Sequence, residues 1–519
     1  MHGDVGAGRS PRLVVQGLAR QFGRRPVLRD VTFEASGGEV VALLGPNGSG
    51  KTTLLGVLST LAEPSRGVVA YPGTEQLDTP RRHLGVLGHE PQLYGELSAR
   101  ENLEVFARLG GVTDVGAAVA AALHEARLVD RADDLVERFS RGMRQRLAFE
   151  RVLLHAPRLL LLDEPFTGLD DDSAARLVTR LGTLRDAGVC ILLATHDLVL
   201  VESLVDRALV VRDGRLASLA PVGSLADAYR ASVATTGRGE QTAGQVPRLR
   251  PAAAARSPAA AARRPAAAAR RPPAAAPRRP DPRLRDVLAT AWLLFGKDLR
   301  VEWRTREGLL TTACFALSCV LVFAFGLVRN GTPMPDAGPA VLWITIALAG
   351  TLAMARSFER ERASGTLTAV LASAAPRPAI YLGKWWALMA LLFAVEAVLL
   401  PLVALFFQMP LGRRPLLVIA LLVAGTAGYA AVGTLFAAML ARTRTRDVLL
   451  PLLLYPMSVP LIIGGVRGTA AALADPYVPG GVGLWLSLLI CFDAVFVTLA
   501  LWTFDLLMTE AAPRVAKEA

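Results

Sequence analysis

One run of eight residues, Gly45, Pro46, Asn47, Gly48, Ser49, Gly50, Lys51 and Thr52, constrains the chain most, because it has the complete spacing of a phosphate-cradling loop. Residues 39–44 before it read as a buried strand, and residues 52–58 read as a helix that starts directly after it. Strand, glycine-rich loop and helix in that order are what phosphate binding needs. Glycines at 45, 48 and 50 let backbone N–H groups approach the phosphates, with the positive end of the helix behind them. Lys51 is expected to reach the β- and γ-phosphates, the Thr52 hydroxyl to hold Mg²⁺, and Thr53 to lie with the loop against the nucleotide. The alternative at this point is a glycine-rich turn with no ligand.

At 519 residues the chain is too long for one ordinary core, and its halves differ. All six His precede residue 200, all seven Trp follow residue 290, and long apolar runs occur only in the C-terminal half. That half reads as a membrane domain and the N-terminal half as a soluble one. The net charge of +12 invites a nucleic-acid reading, but eleven Arg and one Asp between Arg248 and Arg285 supply +10 of it in a segment unlike either half. Cys190, Cys314, Cys319 and Cys491 have no disulfide or zinc spacing and read as small apolar residues. The first thirty residues carry no secretory-signal pattern, so the soluble half is expected in the cytoplasm.

Within residues 11–235, segments 13–16 and 31–34 read as strands opening a mixed sheet, and Phe22 between them is a core or turn aromatic placed to stack on adenine once a nucleotide is assumed. Ser98 and Glu101 have capping-box spacing, so a helical insertion is expected to start there. Ser140 and Gly142 open a basic helix whose N-terminus can offer donors to a γ-phosphate. Residues 159–164 form an apolar strand ending in Asp163, placed to hold Mg²⁺, and Glu164, placed to polarise the attacking water; strand-end carboxylates can also simply cap the next helix. Asp170 continues that turn. Residues 190–195 read as a strand delivering His196 to the same carboxyl edge, where open parallel sheets bind ligands.

In this order the motifs resemble the ATP-binding domain of ABC transporters: Phe22 as A-loop, 45–52 as Walker A, 140–145 as signature, 159–164 as Walker B, 169–170 as D-loop and His196 as switch. The resemblance implies an α/β P-loop NTPase fold with an inserted helical subdomain, with ATP and Mg²⁺ as cofactors. It departs from the family in two places. His89 stands where the Q-loop glutamine is expected, with Gln92 three residues on, and either could lie near the Mg²⁺; the signature has Arg141 and Met143 around Gly142.

Residues 236–285 repeat Pro, Ala and Arg at about seven-residue intervals, with no apolar seam for a coiled coil, and read as an extended disordered tether. Residues 286–519 are expected to form an all-α six-span domain, with spans near 309–328, 340–355, 385–407, 416–440, 448–466 and 482–508. The second is short, and Pro451, Pro456 and Pro460 make the fifth irregular. With the N-terminus inside, fourteen basic residues flank the spans on the cytoplasmic side and four on the other, so both termini are expected in the cytoplasm of a bacterial inner membrane protein. Residues 292–306 read as a helix along the membrane surface, residues 357–366 as a helix that could touch the ATPase, and Glu396 and Asp493 as either functional groups or interhelical hydrogen-bonders.

This half resembles the membrane subunit of the bacterial cytochrome c maturation haem exporter in residues 295–302 (FGKDLRVE), 358–367 (FERERASGTL) and 448–456 (VLLPLLLYP), and the ATPase half resembles its partner subunit in 87–91 (LGHEP) and 95–102 (GELSAREN). The resemblance implies an ATPase that powers haem export or delivery, a second ATPase–permease unit, presumptively a homodimer, a haem-handling membrane protein, a periplasmic haem chaperone and no nucleic acid. A general exporter of a drug, lipid or glycan stands as the alternative.

Overall fold

The computed structural model describes residues 11–74, 80–219, 284–329, 332–440, 445–474 and 480–510. The Pro/Ala/Arg tether expected at 236–285 lies outside them except for its last two residues.

Two sheets build the N-terminal half. Strands β3 (Val40–Leu44), β6 (Leu159–Asp163) and β7 (Cys190–Ala194) are buried at every residue, as central parallel strands covered on both faces must be. With β5 (Leu84–Leu87), β8 (Arg207–Arg212) and β9 (Arg215–Leu219) they make a sheet in the order β5-β6-β7-β3-β8-β9, parallel except at β9. The sequence reading had β1 (Pro11–Phe22) and β2 (Arg25–Ser36) opening this sheet. They instead pair with each other and with β4 (Arg66–Ala70) in a separate antiparallel sheet. Alternation explains this: Leu28, Val31, Phe33 and Ala35 of β2 point inward between exposed neighbours, which suits a sheet with one wet face. The inward face covers helix α1 (Lys51–Leu58), whose Leu54, Leu55 and Leu58 share its core.

The opposite face of the central sheet carries α2 (Ala99–Leu109), α3 (Val115–Glu125), α4 (Arg141–Leu153) and α5 (Asp171–Asp186). The capping box expected at α2 is present: Glu101 N–H donates to Ser98 Oγ at 3.2 Å and Ser98 N–H to Glu101 Oε2 at 2.8 Å. Two helices and short 3₁₀ turns fill the expected helical insertion.

In the C-terminal half, a helix of 22 residues (Leu284–Thr305) precedes six helices long and apolar enough to cross a membrane. They are span 1 (Glu307–Gly326), span 2 (Gly338–Ser357), span 3 (Arg377–Phe407), span 4 (Pro415–Leu440), span 5 (Arg446–Leu473) and span 6 (Gly481–Glu510). Span 2 is longer than the sequence reading made it, and span 3 begins eight residues earlier, at Arg377, because Lys384 and Arg377 are buried against protein rather than ending the helix. Span 5 is continuous through Pro451, Pro456 and Pro460, a correction to its expected irregularity. Spans 2 and 4 are the most enclosed. Trp343 of span 2 lies so close to Gly425 of span 4 and Gly465 of span 5 that a Cβ there would come within 2.0 and 2.3 Å of its ring, and its Nε1 donates to Thr469 Oγ1 at 3.0 Å. Small residues admitting a large neighbour are the usual device of membrane helix packing.

The halves meet through both apolar and charged contacts. Tyr94, Leu97, Val105 and Phe106 belong to one apolar cluster with Val301, Phe358, Leu367 and Val370. Two short helices follow span 2, Glu359–Ala363 within the segment expected to touch the ATPase and Thr366–Ala372 running on from its end, and Gly365 between them packs on Glu90 and Gln92. Arg304 of the surface helix donates to Glu101 Oε2 at 2.9 Å. Beneath Tyr94, Lys297 contacts Asp298 and Glu361, each at 2.6 Å, and Lys384 contacts Asp298 at 3.0 Å and Glu361 at 2.9 Å. Burial pulls the Lys297 ammonium down, but Asp298 and Glu361 outweigh it and hold its pKa well above the ordinary value.

One buried carboxyl on α4 lacks such compensation. Burial raises Glu150 from 4.5 to about 7, with Arg180 4.0 Å away and only partly opposing it. Below about pH 4.5 the group is protonated folded and unfolded; between 4.5 and 7 the unfolded chain releases its proton first, so stability is lost as the pH rises. Glu150→Gln should therefore raise the thermal unfolding midpoint at pH 8, through a gain on the order of 2–3 kcal/mol, and leave it nearly unchanged at pH 4.5.

Candidate functional site

The carboxyl ends of β3, β6 and β7 converge on the loop between β3 and α1. Gly45 has φ 145°, and a Cβ there would lie 2.3 Å from the Val211 carbonyl oxygen, so the turn out of β3 admits only glycine. Gly48 and Gly50 also have positive φ, and Gly50 caps α1. Pro46 O accepts from Ser49 N at 3.2 Å, closing the turn over Asn47. Lys51 Nζ folds back onto Gly45 O at 2.7 Å and Pro46 O at 3.2 Å. Burial lowers its pKa, with Glu164 and Asp163 opposing. Thr52 Oγ1 donates to Asp163 Oδ2 at 2.8 Å, and Thr53 is buried beside it. Burial raises the Asp163 pKa against the Thr52 hydrogen bond.

Glu164 follows Asp163 in the left-handed region, φ 54°, where a side chain is strained. Its N–H is held by Ala194 O at 2.9 Å, which aims the carboxylate off the sheet edge toward His196, whose Nδ1 lies 2.8 Å from Glu164 Oε2. The imidazole is 82% exposed and the carboxylate 18%, so the pair faces outward from a fixed base. Thr52, Asp163, Glu164 and His196 are thus brought together as the sequence order implied.

Phe22 ends β1, half-buried, with the Arg20 guanidinium 4.9 Å from its ring centroid. Arg20 and Phe22 are two residues apart in β1 and so share a face, a pairing that the sequence reading did not draw. Ser140 Oγ accepts from Met143 N at 3.3 Å and caps α4; Gly142 faces the Gly168 carbonyl, and Asp170 Oδ1 accepts from Ser173 N at 3.0 Å to cap α5. Gln145 Nε2, donating to Pro165 O at 2.9 Å, ties this group to the loop after Glu164. Among the described residues, no hydrogen bond or ion pair joins Ser140, Gly142 or Asp170 to Lys51, Thr52, Asp163 or Glu164. They form a second, exposed face.

The segment after β5 divides the two residues read as alternatives. His89 is close enough to Asp163 to act on it electrostatically. Gln92 is buried with φ 56°, and its Oε1 accepts from Arg151 at 3.1 Å, so it serves the junction with the membrane half rather than the Thr52–Asp163 pair. Arg151, stacked 4.8 Å from the Phe106 ring, is a junction residue that sequence reasoning missed, since its partners are distant in the chain.

The loop fits a nucleotide phosphate and its metal. Ser49 Oγ is buried without a partner, and Lys51 Nζ rests on carbonyls of the loop itself, so both have hydrogen-bonding capacity to transfer to an anion. The Thr52 hydroxyl beside the Asp163 carboxylate is a hard-oxygen pair of the kind Mg²⁺ takes.

Residues 28–167 match the family model described as ABC transporter, and residues 289–509 match the model described as CcmB protein. The lantibiotic transport ATP-binding protein SrtF of Streptococcus pyogenes is 33% identical over 204 residues, 39% of this chain and 88% of that protein. This chain belongs to the ABC transporter family. The ABC transporter ATP-binding protein NatA of Bacillus subtilis is 35% identical over 209 residues, 39% of this chain and 85% of that protein. For the Nod factor export ATP-binding protein I of Bradyrhizobium diazoefficiens the identity is 37% over 203 residues, 38% of this chain and 66% of that protein. A solved ATP-binding subunit of an ABC transporter overlaps 44% of this chain and 95% of its own, at 33% identity and a TM-score of 0.39. The ABC transporter described here is an ATP-hydrolysing, multi-pass membrane protein whose ATPase is fused to a CcmB-like membrane half.

Gly45→Ala should force the loop away from Val211. Its ATP affinity, measured by equilibrium binding to the purified chain, is expected to fall by roughly tenfold or more.

Proposed function

We propose that the chain is one half of an ATP-driven membrane complex that powers haem export or delivery for cytochrome c maturation. The match of residues 289–509 to the CcmB model carries this reading, because the substrate of a transporter is decided in its membrane half.

The chemistry follows from the site. The N–H groups of residues 45–52 and the Lys51 ammonium would take the β- and γ-phosphates of ATP, Ser49 Oγ would gain its missing partner, and Phe22 would stack on adenine. Thr52 and Asp163 would hold Mg²⁺, which when bound neutralises charge developing on the phosphates. Glu164 would orient and polarise the attacking water, with His196 sensing the γ-phosphate from the adjoining strand. Ser140, Gly142 and Asp170 lie on a separate face, so they would act on the nucleotide of a second unit, another copy of this chain. Closure of the pair would move residues 359–372 against the ATPase and shift the spans as rigid bodies. The ATPase and both termini would face the cytoplasm of a bacterial inner membrane, in accord with the excess of basic residues on that side.

Because residues 200–519 contain no His, the commonest axial haem ligand is missing from the membrane half. The chain would therefore power haem handling by a partner membrane protein and a periplasmic haem chaperone rather than ligate haem itself. Deleting the gene and scoring holocytochrome c tests the role: the holoprotein should disappear. The names of the ATPase-half relatives, which include Nod factor export and lantibiotic transport, favour a second reading as a general exporter of a drug, lipid or glycan. A deletion strain with normal holocytochrome c and a lost exported compound would establish it. At the site, Glu164→Gln should keep ATP binding while steady-state hydrolysis drops roughly 100-fold; turnover near the wild-type rate would remove Glu164 from its assigned role.

A further inference from the structure

A cavity of about 550 Å³ opens between the surface helix, the start of span 1, the end of span 2 and the third span, directly beneath Tyr94 and Glu96 of the ATPase. Its two ends differ in character. The mouth carries Arg306 and Arg356, and the body is lined along span 3 by Leu388, Leu391 and Ala394. From Lys384 to Ala394 the helix descends about 15 Å, roughly half the thickness of the hydrocarbon core. The cavity therefore has the depth of one leaflet, on the side facing the ATPase.

The acids at the mouth are largely spent. Asp298 and Glu361 are paired with Lys297 and Lys384, and Glu302 accepts from Leu309 N at 2.7 Å and from Arg360 at 3.4 Å; Glu96 at the rim forms no ion pair among the described residues. Two cations remain. Among the described residues no carboxylate pairs with Arg356, whose guanidinium donates to Thr311 Oγ1 at 2.6 Å, or with Arg306, which lies 5.9 Å over the Trp303 ring. Arg306 is held at φ 54°, so its direction is fixed by the break between the surface helix and span 1. Trp303 and Trp292, 76% and 66% exposed, mark the level of the headgroups.

We propose that this cavity binds one anionic phospholipid of the leaflet facing the ATPase, its phosphate between Arg306 and Arg356 and one acyl chain along Leu388 and Leu391 between spans 1 and 3. Two cations with no carboxylate partner suit a phosphate, the apolar body suits a chain, and the one-leaflet depth lets both belong to one molecule. The binding stands apart from the transported compound and from hydrolysis, but its wall includes Lys297 and Glu361, so occupancy and the junction with the ATPase share residues.

The full chain, delipidated in detergent and given equimolar phosphatidylglycerol and phosphatidylcholine with identical dioleoyl tails, tests this by native mass spectrometry. One phosphatidylglycerol per chain should survive collisional activation, with a preference of roughly tenfold over phosphatidylcholine. Arg306→Gln with Arg356→Gln should abolish the preference, and Leu391→Trp, which fills the body but keeps both cations, should weaken retention of either lipid. Excess glycerol 3-phosphate should leave the bound lipid in place. Equal retention of the two lipids by the wild-type chain, an unchanged preference in the double variant, or displacement by glycerol 3-phosphate would each overturn the proposal, and the first and third need no variant to fold.

Discussion

The ring formed by Lys297, Asp298, Glu361 and Lys384 ties three elements of the membrane half together at the place where Tyr94 of the ATPase rests on it. Two positive and two negative charges are withdrawn from water together, and each side chain comes from an element that must hold still: the surface helix for Lys297 and Asp298, the helix after span 2 for Glu361, and span 3 for Lys384. Burying any one of these ions alone is prohibitive, so the four are satisfied jointly or not at all. Removing one partner from such a buried set typically costs about 3–5 kcal/mol, much of it from the charge left behind. The Tyr94 hydroxyl adds a neutral donor to Glu361 at 3.3 Å, and Lys297 sits 4.2 Å over the same ring. Through Tyr94 the ring registers the segment after β5, which also carries His89 and Gln92. From His89, which acts electrostatically on Asp163, to Tyr94 at the ring is six residues of continuous chain.

The nucleotide loop was legible in the sequence because everything it needs is local. Gly45, Gly48, Gly50, Lys51 and Thr52 fall within eight residues, and the strand before them is apolar at each position. Asp163 and Glu164 were legible for the same reason, and Ser140 and Ser98 as caps. The ring was not. Lys297 and Lys384 read as basic flanks that orient a membrane protein, and nothing in their neighbourhoods says that two acids distant in sequence will meet them. The place of Gln92 was not legible for the same reason, since its partner Arg151 lies on α4, far along the chain. The division of β1 and β2 from the central sheet was written in their alternation, whereas β3, β6 and β7 are apolar without interruption. The ends of spans 2 and 3 were short because composition stops at a charge, while a helix continues wherever that charge finds a protein partner.

The site residues of one chain fall on two separate faces. Lys51, Thr52, Asp163, Glu164 and His196 share one edge, and Ser140, Gly142 and Asp170 share another, each capping its own helix. ABC ATPase domains dimerise. Glu164 is held in a strained backbone conformation by a hydrogen bond to β7, so its carboxylate stands ready at the edge without waiting for the second unit.

The apolar junction also bears on how the two halves can be inherited and handled. Tyr94, Leu97, Val105 and Phe106 are packed in one apolar cluster with Val301, Phe358, Leu367 and Val370. A gene cut between the halves would yield a soluble piece with a bare greasy face, prone to self-association until its mate is made. Joining them in one reading frame synthesises the cover with the face, one for one, and removes any dependence on matched expression of two genes.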